Sequence, residues 1–80
     1  MTNQPQFDRL RRTCSATLTE FITAAHETER QMQTLELPVH VAEDLQFLSQ
    51  RRAEFNACHA YIMASHQLTD FVRQQLEFIQ

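Results

Sequence analysis

Apolar residues recur at steps of three and four along the first half of the chain, at Phe7, Leu10, Cys14, Leu18, Phe21, Ile22, Ala25, Met32 and Leu35. That spacing gathers side chains on one side of an α-helix. It predicts a first helix over about residues 5–35, opening near Asn3 and Pro5, because proline is tolerated in a first turn where its missing N–H has no helical partner. Six threonines between Thr13 and Thr34 lower the intrinsic propensity of this stretch, so packing rather than local preference must hold it.

The pattern breaks at Glu36-Leu37-Pro38, where proline disfavours helical geometry in the residue before it. A turn is predicted at 36–38 and a second helix over 39–79, with Pro38 in its first turn and Glu43 and Asp44 where the helix dipole favours acid. So short a connection makes the two helices antiparallel neighbours. The expected fold is a single all-α domain over residues 1–80, an antiparallel two-helix hairpin.

The second helix carries two apolar stripes. One is Val41, Leu45, Leu48, Phe55, Ile62, Thr69, Val72, Leu76 and Ile79; the other is Phe47, Cys58, Tyr61, Leu68, Phe71 and Phe78. One partner helix cannot cover both. Folding back at Pro38 sets Phe7 near Leu68 and Cys14 near Tyr61, and leaves everything past Thr69 overhanging. Three arrangements cover the surplus: a second copy forming a four-helix bundle, a different protein, or a kink or short third helix near 65–69, which Ser65 or Thr69 could cap. Phe47, Tyr61, Leu68, Phe71 and Phe78 are the expected partner-binding residues.

Composition narrows the function classes. Among 80 residues there is no Gly, which removes phosphate-cradling and dinucleotide-binding loops that need close backbone approach. Seven basic residues, all Arg, against ten acidic ones give a net charge of -3, the wrong sign for bulk nucleic-acid binding. Acid collects towards the turn, in Glu27, Glu29, Glu36, Glu43 and Asp44, and base towards the open end, in Arg9, Arg11, Arg12 and Arg73. An antiparallel dimer would set each basic end against the other's acidic turn, although ion pairs along each helix, such as Asp8/Arg12, Glu27/Arg30 and Asp70/Arg73, use the same charges.

Candidate chemistry is thin. Cys14 and Cys58 are too few for a disulfide scaffold, and no apolar run suggests a signal peptide or a membrane span, so a cytoplasmic setting is expected. His59 and His66 share a helix side two turns apart, about 10 Å and too far for one ion. No serine has a glycine-flanked elbow, and Cys58 beside His59 cannot form a dyad because adjacent helical residues point apart. No catalytic residue, metal site, cofactor or small-molecule substrate is expected, and the chain is read as non-enzymatic. Two other classes stay open: a dimeric nucleic-acid regulator using Arg9, Arg11 and Arg12, and a thiol or metal sensor using Cys14, Cys58 and His59.

The corner at Pro38, followed by Gln46-Phe47-Leu48-Ser49-Gln50-Arg51-Arg52-Ala53, resembles the small helical-hairpin co-chaperones of type III secretion needle subunits over about the middle third of the chain. That resemblance implies a hairpin pairing with a helical-repeat chaperone to keep a needle subunit soluble in the cytoplasm. The longer C-terminal stretch and the histidines depart from the pattern.

Overall fold

A computed structural model describes residues 4–79, which form two helices, α1 (Gln4–Thr34) and α2 (Val41–Ile79), joined by residues 35–40. The helices lie antiparallel in a rod of 61 × 17 × 15 Å. The longest dimension is what the 39 residues of α2 reach at about 1.5 Å per residue, so α2 runs straight. No kink or third helix interrupts residues 65–69; Ser65 and Thr69 are interior helical residues.

Pro5 stands in the first turn of α1, while Asn3 lies outside the described residues. Pro38 is not in the first turn of α2 but in the loop, after a cis Leu37–Pro38 peptide. The helix begins later because His40 supplies its first acceptor: the Asp44 N–H donates to the His40 carbonyl at 2.9 Å. Glu43 and Asp44 sit in that first turn. At the other side of the loop, the Leu35 N–H reaches back to the Met32 carbonyl, tightening the end of α1.

Most of the buried and half-buried positions follow a three-four alternation on both helices, with Asp8, Ala25, Glu27, Cys58 and Ser65 half-buried beside it. On α1 the alternating positions run Phe7, Leu10, Cys14, Thr17, Phe21, Ala24, Thr28 and Gln31, continued by Leu35 just past its end; on α2, Phe47, Gln50, Glu54, Ala57, Tyr61, Ala64, Leu68, Phe71 and Gln75. A period of 3.5 sustained in this way is the seam of an antiparallel coiled coil. Its aromatic layers are Phe7 on Phe71, with ring centroids 6.1 Å apart, and Phe21 on Tyr61, at 6.5 Å. Between Phe21 and the loop lies a polar layer in which the Gln50 side-chain amide donates to the Ala24 carbonyl at 2.9 Å.

This register corrects the expected one by about a turn. Phe7 faces Phe71 rather than Leu68, and Tyr61 faces Phe21 rather than Cys14. The loop takes up six residues instead of a sharp corner at Pro38, so α1 meets α2 further along. The overhang shrinks to the last turn of α2, where Phe78 is 90% exposed.

Candidate interaction face

Four of the five residues expected to bind a partner, Phe47, Tyr61, Leu68 and Phe71, lie instead in the seam with α1, and Phe71 is only 8% exposed. They sit there because they hold successive three-four positions opposite the α1 row. Phe78 continues the same row past the point where α1 begins at Gln4, and is left without cover. The other α2 stripe is the exposed one: Val41, Leu45, Leu48, Phe55, Ile62, Val72 and Leu76 all face outward, Phe55 with 71% of its surface. The side chain of Ile79 lies outside the described residues.

Seam geometry decides where this surplus points. Each residue that follows a seam residue is turned by about 100° from it, and in antiparallel helices that turn leads to the same side of the pair. On α1 these following positions include Leu18, Ile22, Ala25 and Met32; on α2 they include Val41, Leu48, Phe55, Ile62, Val72 and Leu76. One flat side of the hairpin therefore carries most of the exposed large apolar side chains, with Asp8, Arg11, Ser15, Glu29, Asp44, Arg51, Ser65 and Thr69 among them. The residues that precede seam positions make the opposite side, and they are mostly polar: Gln6, Arg9, Thr13, Glu20, Glu27, Arg30 and Thr34 on α1, with Gln46, Ser49, Asn56, Gln67, Asp70 and Gln74 on α2; Met63 is its one large exposed apolar side chain among the described residues.

The grooves agree with this division. Arg30 and Thr34 of α1 share a groove with Gln46 of α2, and Gln6 of α1 shares another with Gln67, Asp70 and Gln74, so preceding positions of both helices meet on one side. On the apolar side, a groove of about 410 Å³ is lined by Leu68, Thr69, Val72, Arg73 and Leu76, and a smaller one by Phe21, Arg51, Glu54, Phe55 and Cys58.

Every ion pair among the described residues is local: Asp8–Arg11, Glu27–Arg30, Arg51–Glu54 and Asp70–Arg73, each three residues apart on one helix. Asp8 thus pairs with Arg11 rather than Arg12. The Arg30 guanidinium, which donates to both carboxylate oxygens of Glu27, and the Gln31 amide hold the Glu27 carboxyl down at about 2, and Arg30 is raised in return. These pairs leave the contact between the helices to shape and to Gln50.

Comparison with known protein families, curated proteins and solved structures finds no match. The remaining candidate chemistry is dispersed. Cys58 borders a groove with Phe21, two turns along α1 from Cys14, so the corrected register separates the two thiols and both are free. No group of three or more His, Cys, Asp or Glu side chains gathers among the described residues, and none of their hydrogen bonds joins a Ser or Cys to a His. Arg9, Arg11 and Arg12 point to three different sides: Arg9 to the polar face, Arg11 to the apolar face and Arg12 away from the seam. No described helix is long and apolar enough to cross a membrane.

Proposed function

We propose that the chain is a non-enzymatic protein-interaction module, adaptor or chaperone-like, that works by burying the apolar side of its hairpin against protein. The observation that carries this reading is the segregation of exposed Leu18, Ile22, Leu48, Phe55, Ile62 and Leu76 onto one flat side while the other, Met63 apart, is mostly polar. Removing such surface from water contributes about 25 cal/mol per Å². A tagged wild-type chain is expected to retain a protein partner on capture from cells, Phe55→Ser combined with Ile62→Ser to lose it, and Met63→Ser on the polar side to keep it. Equal capture by all three would sink the reading.

A co-chaperone of a type III secretion needle subunit is the narrower form of this proposal. What supports it is the hairpin together with Leu48 on the apolar side. Phe47 and Gln50 of the resembling patch are occupied in the seam with α1, so partner recognition by that patch rests on Leu48 and Arg51.

A further inference from the structure

Resting on the reading that the apolar side binds protein, we propose that its occupant is a second copy of this chain, stacked face to face with the two hairpins running in opposite directions as a four-helix bundle. Area is the first argument. The chain exposes 6647 Å², against roughly 5,000 Å² for a compact monomer of its mass. Among the described residues only Ala64 and Phe71 are buried apolar side chains. A side of 61 × 17 Å covers on the order of 1,000 Å², above the ~800 Å² per partner that a stable complex buries.

Charge then selects the orientation. Two flat hairpins can meet about a two-fold axis parallel to the helices, which gathers both acidic turns at one end, with Glu36 and Asp44 of each copy close together. Alternatively, the axis crosses the helices, and each turn lies over the other copy's open end. Only the second brings Arg11 to the partner's Glu29 and Asp44 to the partner's Arg73. Arg11 and Glu29 are both on the apolar side, and Arg73 borders its groove beside Val72 and Leu76.

The register inside one chain provides an independent check. For Arg11 to meet Glu29 across α1, the axis must cross α1 at Glu20; for Asp44 to meet Arg73 across α2, it must cross α2 beside Cys58. The seam that sets Phe7 opposite Phe71 and Thr28 opposite Gln50 puts Glu20 and Cys58 at the same height. One axis therefore satisfies both ion pairs. The same axis sets Leu18 against the partner's Ile22, Phe55 against the partner's Ile62 and Val41 against the partner's Leu76, and it brings the two Cys58 residues together.

Sedimentation equilibrium combined with thiol cross-linking tests this. The wild-type chain is expected at twice 9.4 kDa, and Ile62→Asp at the monomer mass with its helical circular dichroism retained. Met63→Asp, on the polar side, should remain a dimer. A short bis-maleimide should link two chains of Cys14→Ala through Cys58, and none of Cys58→Ala. A monomeric wild type overturns the second copy. If that monomer binds anilinonaphthalene sulfonate and Ile62→Asp does not, the apolar side still stands as a docking surface; if neither binds the dye, both readings fail. A dimer linked through Cys14 but not Cys58 overturns the antiparallel stacking.

Discussion

Gln50 and Thr28 meet across the seam: the Gln50 amide, 3.4 Å from the Thr28 hydroxyl, donates to the Ala24 carbonyl that the hydroxyl also donates to. Thr28 is 2% exposed, the most buried side chain among the described residues. Its hydroxyl tolerates burial because the preceding turn of its own helix accepts the proton. A polar contact of this kind inside a helix seam fixes register at some cost in stability.

Replacing Gln50 by Ala should therefore lower stability by about 1 kcal/mol, the net worth of a hydrogen bond plus modest packing. Gln50→Leu should cost less or stabilise, because the Ala24 carbonyl keeps its other donors. Urea unfolding of both variants distinguishes the cases; an alanine variant as stable as wild type would remove the assigned role.

The Phe71 and Phe78 rings follow one another in the same α2 row and should behave differently. Phe71 stacks on Phe7 and is 8% exposed, so Phe71→Ala should cost about 3–5 kcal/mol, comparable to the whole stability of a hairpin this small. Phe78 extends past α1 and is 90% exposed, so Phe78→Ala should stay within about 0.5 kcal/mol. Thermal melts followed by circular dichroism read both. Similar losses would contradict the register.

Both helices and their antiparallel arrangement are legible in the three-four spacing and in Pro38. The inward side is not, because polarity is a poor guide to it in this chain. The α1 seam holds Thr17, Ala24, Thr28 and Gln31, while the larger Leu18, Ile22 and Met32 lie outside it. On α2, Gln50, Glu54, Ala57 and Gln75 complete the row that Tyr61 and Phe71 anchor. Small side chains and self-satisfied hydroxyls fit between helices as readily as leucine does, so the strict alternation, rather than hydrophobicity, is the signal that identifies the seam. The start of α2 is illegible for a different reason: Pro38 permits a helix to begin at once, and only the His40 carbonyl shows where it does.

Acid should weaken the hairpin through Glu27. Its carboxyl ordinarily titrates at 4.5 and is held at about 2 by the Arg30 hydrogen bonds and the Gln31 amide. A depressed carboxylate contributes stability that is fully present above 4.5 and is lost as pH falls through about 2. The gap in melting temperature between wild type and Glu27→Gln should thus be constant above pH 5 and close steadily as pH falls towards 2. The effect should be small, because the pair is exposed and screened by salt. A carboxyl resonance of Glu27 that titrates near 4.5 in the folded chain would dismiss the interaction.

Cys14 and Cys58 offer the most direct check on the register, because the expected and observed alignments differ in whether the two thiols can meet. In the observed one, Cys58 lies beside Phe21, two helical turns or about 10 Å along α1 from Cys14. Disulfides need Cα atoms within about 7 Å, so mild oxidation should leave no bond between them inside one chain. The register expected from a corner at Pro38 would bring them close enough to bridge. Peptide mapping of the oxidised protein, without reduction, separates the cases: an intrachain Cys14–Cys58 peptide would restore the expected register, about a turn from the observed one. A bridge joining Cys58 of two chains would leave the hairpin register intact, since it draws only on residues at the side of the seam.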